Sequence, residues 1–519
     1  MYIQPNTNIR ILKNVPLDNT YEHTIYFNSR DEQQNYFIGL QKYNLTNYTY
    51  QRVKRGTARV GIKSDDLYDC NYMMFQNTSF GNKWFYAFIT SVEYVNNDCS
   101  EISFEIDVMQ TWHFDYSPDY CFVEREHSVT DIIGENITPE SVETGEYIYN
   151  NFQPLVAGLD NLAIIVMIGT GDSLDGNLNE GVYGGCNYGA FPSNNYGGLN
   201  ALLKVFFQDK PDSVVAIYMC PIISLQEHGI ELISGSTDFK WIDIASEQCG
   251  YRIVHTPKTT TNDTLDGYKP KNNKLYTYPY NFLQVCTTSS SASYRYEFFK
   301  GGDPTFQVDL PYTMPVQVAL RPKFYKGSGD TRLITEGLII DGYPMCSWNT
   351  DAYKAWLAQN ATSLTLNGIG NGINIGAGIA TGNPNAVAGG VYAIGSSLIS
   401  AYEHSVNNNM TKGNINSANV DISSKAKNFY WGRCSITAEY ARIIDNYFTR
   451  FGYATKLVKI PNRNSRRHWN YVKTIDATIT GSVPADDMKK ICSIYDNGIT
   501  FWKRGNEIGM YNLDNTVHS

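Results

Sequence analysis

Hydrophobic and polar residues alternate most regularly between residues 84 and 109. Trp84, Tyr86, Phe88, Val92 and Tyr94 recur on one side of an extended chain. Asn96, Asn97 and Asp98 supply a turn. Ile102, Phe104, Ile106 and Val108 then alternate with Glu101, Ser103, Glu105 and Asp107. Period two predicts a long antiparallel hairpin with one wet face. A shorter alternation at 58–62 adds a strand, and residues 1–125 read as strands throughout. From 126 to 345 the texture changes. The apolar run 162–168 predicts a buried strand. A Tyr/Gly/Asn loop at 181–198 and Thr/Ser-rich loops near 258–262 and 287–293 separate further short strands. This middle part reads as an all-β sandwich or barrel.

Helical periodicity comes late. Asn349 or Thr350 can cap a short helix over 351–360. Over 439–451, Tyr440, Ile443, Ile444, Tyr447, Phe448 and Phe451 follow an i, i+3, i+4 stripe, and Gly452 stands at the stop position. A third helix is predicted over 485–496, ended by Asn497-Gly498, with a strand resuming at 499–502. No repeat of 20–50 residues is visible. The predicted fold class is mainly β with few helices.

Composition sharpens this. With 519 residues the chain can hold roughly two to four domains. Charged residues are 18%, and polarity is carried instead by 49 Asn and 39 Tyr. An aromatic content of 13% and a net charge of −9 exclude disorder as the main state. The acidic balance also excludes a nucleic-acid grip through one large basic surface, while a local basic patch remains open. Residues 1–10 predict no signal peptide, and no run of 18 uninterrupted apolar residues predicts an ordinary membrane helix. Ten cysteines are spread with no CxxC, which predicts free thiols in a reducing cytoplasm.

Catalytic signatures are scarce. Gly169-Thr170-Gly171 lacks a third glycine and reads as a plain turn. Asp65-Asp66 and Asp486-Asp487 are paired carboxylates, the second pair at a helix start, where the dipole favours negative charge. A glycosidase-type pair converges only in space, so the sequence leaves it open. Glu124, Glu126 and His127 cluster without an HExxH pattern and read as a solvated strand end. No enzyme activity, cofactor or metal is expected.

Lys456, Lys459, Arg463, Arg466, Arg467 and His468 form the densest basic stretch, followed by Trp469 and Tyr471. It can meet DNA phosphates or an acidic neighbouring surface; the bland alternative is a solvated face. Either way, neutralising Arg463, Arg466 and Arg467 is expected to leave stability unchanged.

One segment is abnormal. The 48 residues from 355 to 402 contain no Asp, Glu, Lys or Arg, and nine are glycine. Gly382-Asn383-Pro384-Asn385 breaks the stretch into arms at 364–381 and 386–402. As helices these arms would be ~27 and ~26 Å long, close to the ~30 Å of a bilayer core. Leu364, Leu366, Ile369, Ile373, Ile375 and Ile379 supply the apolar surface of the first arm. Val387, Val391, Tyr392, Ile394, Leu398 and Ile399 supply that of the second. Small residues recur at four-residue spacing, at Gly368, Gly372 and Gly376, then at Gly389, Ala393, Ser397 and Ala401, which lets helices approach closely. Asn367, Asn371 and Asn374 share one helical sector and are candidates to face a water-filled pore. A Gly/Asn-rich loop or an inert core hairpin is the alternative.

Several stretches resemble the distal tail knob, or tail-tip tube, proteins of small short-tailed phages with protein-primed DNA replication. They are Asn8-Ile9-Arg10-Ile11-Leu12 with Val15-Pro16 and Tyr21; Tyr72-Met73-Met74-Phe75-Gln76-Asn77; and Gly81 to Phe88. Phe104 to Val108, Gln110-Thr111-Trp112 and Val123 with Arg125-Glu126-His127 follow. Ala438-Glu439-Tyr440, Tyr471-Val472 and Asp496 to Thr500 with Trp502 complete the order. The resemblance is specific at 1–127 and 434–502 and weak over 128–345. It implies a structural virion protein of the distal tail, assembled in the host cytoplasm. It implies tail-tube-like antiparallel barrels from 1–127 with 425–519, a knob domain at 128–350, and an inserted apolar loop at 355–412. It also implies a homo-oligomer, a hexamer in the family, seated on an adjoining tail or collar protein. Genomic DNA would pass through its lumen without sequence specificity, and the apolar loops would plug the lumen and then enter the host membrane. The runner-up is a tail-tip protein whose Tyr/Asn-rich middle binds or cleaves cell-wall glycan.

Overall fold

A computed structural model describes residues 6–48, 56–169, 186–193, 198–199, 202, 214–233, 250–287, 290–343, 345–347, 410–415, 418–423 and 427–517. The predicted helix at 351–360 and both uncharged arms lie outside these residues, as do 181–185 and 194–197 of the expected loop at 181–198, in which Cys186–Pro192 is instead a strand. The described chain is mainly β with few helices. It divides into two compact units. One comprises residues 1–143, 268–275 and 439–519; the other comprises 144–267 and 276–438.

The first unit holds a six-stranded sheet in the order Gln41–Tyr48, Thr7–Lys13, Cys70–Gln76, Phe85–Asn96, Cys99–Ile106, Thr57–Val60. All six strands feed one core around Ile11, Val60, Met73, Ala87 and Ile102, with Tyr43, Leu45 and Tyr48 packed against it. The two outer strands approach each other where the Gly61 N–H donates to the Tyr48 hydroxyl at 3.3 Å. A second core, containing Tyr72, Tyr86, Phe88, Val472, Tyr495 and Phe501, lies on the other side.

The predicted hairpin is present as Phe85–Asn96 with Cys99–Ile106, but its facing differs from the expectation. Ile89 pairs with Phe104, whereas Ser91 pairs with Ser103, so Thr90 is an extra residue. One inserted residue exchanges the faces beyond it. Tyr86 and Phe88 therefore enter one core, and Val92 packs on the other. The base of the hairpin is covered on both sides, while Tyr94 and Val95 near the tip are exposed. A helix, Arg30–Gly39, also interrupts the strands expected over 1–125. Ser29 caps it by accepting from the Glu32 N–H, and Asp31 and Glu32 occupy its first turn.

A five-stranded sheet completes this unit, in the order His23–Ile25, Ile499–Trp502, Trp469–Ile475, Cys121–Glu126, Tyr453–Lys459. The late helices appear as Ala438–Phe451 and Ala485–Asn497. Gly452 ends the first at φ +65°, its N–H donating to the Phe448 carbonyl at 2.8 Å. The stripe is not as expected: Ile444 and Phe448 are buried, Ile443 is exposed, and Asp445 is buried in its place.

The second unit contains three four-stranded sheets and one core. Leu162–Gly169, the predicted buried strand, lies between Cys186–Pro192 and Val214–Pro221. Tyr251–His255, Thr305–Asp309, Val318–Lys323 and Leu338–Ile340 form another sheet. Tyr430–Ile436, expected with the chain ends, instead pairs with Tyr147–Pro154 and Asn281–Cys286 in the third.

Candidate functional site

The strand Tyr453–Lys459 is an outer edge of the five-stranded sheet, paired on one side with Cys121–Glu126. Its register places Val458 opposite Phe122, and Phe122 opposite Ile475 on the next strand. Directly opposed residues share a face. These three apolar side chains thus form one row across three strands, and they are 68%, 36% and 48% exposed. Leu457 and Ile460 add exposed apolar surface along the edge, and Tyr120 precedes the middle strand. Lys456, at φ +50°, interrupts the pairing between Ala454 and Leu457. An open strand with a contiguous apolar row invites another chain.

A buried polar frame anchors this edge. Glu140 takes the Lys274 ammonium at 2.5 Å, pairs with Arg125, and accepts from the Ala454 N–H at 2.8 Å. The Lys274 and Glu140 side chains are 2% and 1% exposed. Burial lowers the Lys274 pKa against the raising effect of Glu140. Arg125 also donates to the Gly452 carbonyl at 2.7 Å and covers the Tyr447 ring at 4.6 Å. The Tyr453 hydroxyl donates to Asp131 at 2.6 Å.

Of the Glu124–Glu126–His127 cluster, Glu126 and His127 belong to this frame and are not the solvated strand end expected, while Glu124 is partly exposed and pairs with Lys473 at 2.8 Å. Glu126 is fully buried, pairs with Lys459, and accepts from the Asn462 N–H at 2.8 Å. Buried His127 accepts at Nδ1 from the Tyr471 N–H (2.8 Å), so Nε2–H donates to the Thr449 carbonyl (3.1 Å). Burial pulls its pKa down to about 3, which keeps the ring neutral. Both nitrogens are occupied. Among the described residues no group of three or more His, Cys, Asp or Glu could hold a metal ion.

The basic stretch divides. Lys456 and Arg467 are exposed. Lys459 is engaged with Glu126, and His468 Nδ1 lies 2.8 Å from Glu507. The Arg463 guanidinium lies 5.5 Å from the Tyr116 ring centre and 5.9 Å from that of Tyr26. Arg466 is only 4% exposed and donates to the Ser128 hydroxyl at 3.3 Å. Equal, stability-neutral roles for the three arginines therefore do not fit their burial. Asp487 accepts from the Trp112 indole at 2.9 Å, a structural role at the start of its helix.

Sequence reasoning passed over the apolar row, although a signal was present. Adjacent strand residues point to opposite faces, so Phe122-Val123 offers one apolar side chain away from the core, and Leu457-Val458 leaves both exposed at the edge. The candidate pore residues Asn367, Asn371 and Asn374 and the twelve apolar arm residues lie outside the described residues. Among the described residues no helix is long and apolar enough to cross a membrane. Seven described cysteines are free thiols, with Cys70, Cys121, Cys220, Cys286 and Cys434 buried.

Residues 5–117 match the N-terminal family model of caudoviral major tail proteins. The chain is 28% identical to tail knob protein gp9 of Bacillus phage phi29 over 597 aligned positions, covering 98% of each. It is 27% identical to tail knob protein gp9 of Bacillus phage PZA over 599, again covering 98% of each. The structure of the bacteriophage C1 tail knob protein, gp12, superposes with a TM-score of 0.60 at 13% identity, covering 99% of this chain and all of that one, a likeness of fold. Residues 250–516, just over half of the chain, match the model of the C-terminal domain of the phi29 tail knob protein gp9, and the chain belongs to that family of structural proteins of the phage virion tail.

Proposed function

We propose that this tail knob protein closes into a ring, a hexamer by family likeness, that forms a tube at the tail tip for genome ejection. The observation that carries this reading is the exposed row Val458–Phe122–Ile475 on an open sheet edge. Fully burying an aliphatic or aromatic side chain of this size contributes about 1.5–3 kcal/mol, so a row repeated at every subunit contact would stabilise a closed ring. The first unit is the tube domain. Its six-stranded sheet curls toward a barrel, supported by the Gly61–Tyr48 hydrogen bond between its outer strands. The second unit is the knob.

The uncharged arms at 364–381 and 386–402 are the membrane-active loop. They plug the lumen and are released into the host membrane, with Asn367, Asn371 and Asn374 facing water and the leucines and isoleucines facing lipid. Amides turned to hydrocarbon would each cost several kcal/mol. Lys456 and Arg467 are the exposed cations offered to DNA in transit or to the adjoining tail protein.

Negative-stain microscopy with light scattering tests the ring. Wild type should give closed rings, and Val458→Glu with Ile475→Glu should give folded monomers. A wild type that stays monomeric at high concentration overturns the ring. Dye leakage from liposomes tests the loop: deletion of 362–404 should abolish leakage, and unchanged leakage overturns the pore.

A further inference from the structure

We infer that the second unit carries a binding cleft for a neutral, N-acetylated oligosaccharide, with Trp431 as its apolar contact and the Asp263–Arg433 pair and rim amides as its polar ones. This goes beyond ring formation and does not depend on it. The cleft measures about 880 Å³, within the roughly 300–1,000 Å³ of small-molecule sites.

The local sequence builds it. Trp431 and Arg433, two residues apart on Tyr430–Ile436, share a face of that strand. Gly432 separates them. Its own Cβ direction is the opposite face, where a Cβ would come within 2.7 Å of the Phe152 ring and 3.0 Å of the Asn150 carbonyl oxygen, so glycine is required for that ring to back the strand behind the cleft. Phe152 reaches it because Tyr147–Pro154 departs from regular register between Asn150 and Gln153.

The opposite wall is the loop around Asp263, and it is fixed before any ligand arrives. The buried Tyr276 hydroxyl donates to the carbonyls of Asp263 (2.9 Å) and Thr261 (3.2 Å). One Asp263 oxygen accepts from the Thr260 N–H at 2.6 Å, and the other pairs with Arg433 at 2.9 Å. A preorganised wall lowers the entropy cost of binding.

Charge selects the ligand class. Asp263 and Arg433 compensate each other, and Asp266 on the rim leaves a negative balance. That arrangement repels phosphate polymers. Sugar hydroxyls can donate to the carboxylates and accept from the guanidinium, while the amides of Asn262 and Gln153 can meet acetamido groups. The Trp431 indole offers the apolar surface on which a pyranose ring packs.

Calorimetric titration of the full chain with N,N′,N″,N‴-tetraacetylchitotetraose tests this, with poly(glycerol phosphate) as the anionic comparison. Wild type should bind the tetrasaccharide saturably and the anionic polymer not at all. Trp431→Ala should abolish binding. Because Trp431 also packs against the core, the exposed-rim double variant Asn262→Ala/Gln153→Ala provides the second reading. It should keep the wild-type melting temperature and bind about tenfold more weakly, as expected for two lost hydrogen bonds. Absence of tetrasaccharide binding by wild type, unchanged affinity in the rim variant, or preference for the anionic polymer would each overturn the assignment. None of these outcomes bears on the ring.

Discussion

Asn272 and Asp445, separated by 173 positions in sequence, are locked together in the first unit. The Asn272 N–H and side-chain amide both donate to Asp445 Oδ1, at 3.0 and 2.7 Å, and the amide also reaches the Asp445 carbonyl at 3.1 Å. The other carboxylate oxygen accepts from the Tyr268 hydroxyl at 2.7 Å and the Lys271 N–H at 2.8 Å. One mid-helix carboxylate thus holds Tyr268, Lys271 and Asn272 of the segment 268–275. Asp445→Ala would strand several buried donors, each costing about 1–3 kcal/mol when left unpaired. Urea denaturation should show a loss of about 3 kcal/mol or more. A loss below about 1 kcal/mol would mean that the segment is held by other contacts.

Arg466 and Arg467 are neighbours in sequence with opposite roles. Arg467→Ala, at an exposed site, should change stability by less than about 0.5 kcal/mol. Arg466→Ala removes a buried side chain and its bond to Ser128, and should cost about 2 kcal/mol or more. Equal melting temperatures for the two variants would refute this division.

Gly452→Ala should be severe. A Cβ there would lie 2.1 Å from the Glu126 carbonyl oxygen and 2.5 Å from the His127 nitrogen, at a φ of +65°. Gly509→Ala, at φ +85° with nothing within 4 Å, carries the backbone cost alone, about 1 kcal/mol. Parallel thermal melts should show the first variant far less stable than the second.

Acidification should weaken the fold through its buried histidines. Burial pulls His113 down to about 4 and His127 down to about 3, both below the unfolded value of 6.5. The unfolded chain therefore binds these protons first, and the stability they contribute, present above pH 6.5, falls as pH drops toward the folded values. Between pH 7 and pH 5 each costs about 2 kcal/mol. Asp107 works in the opposite sense: burial raises it to about 6, so protonation of the folded state offsets part of the loss over the same interval. Urea titrations at pH 7, 6 and 5 should show declining stability, with a shallower slope for His127→Gln. A slope unaffected by that change would show that His127 does not titrate as its burial requires.

Local pattern alone determined the mainly β class, the hairpin after residue 84, the buried strand Leu162–Gly169, and the two late helices with their glycine stops. These features depend on residues within a few positions of one another. The family resemblance was legible for the same reason, in short ordered stretches near the chain ends. The tertiary structure decided the rest. The extra residue at Thr90 is set by which partner each strand residue meets, and no periodicity within one strand reveals it. Asp445 reads as a solvent-facing position in its helix until residues 268–275 cover it. Arg466 reads as one more surface charge until Ser128 and its surroundings enclose it. The exposed row Val458–Phe122–Ile475 exists only where three strands from distant parts of the chain align. Burial and register are properties of pairs of segments, and a sequence states each segment without stating its partner.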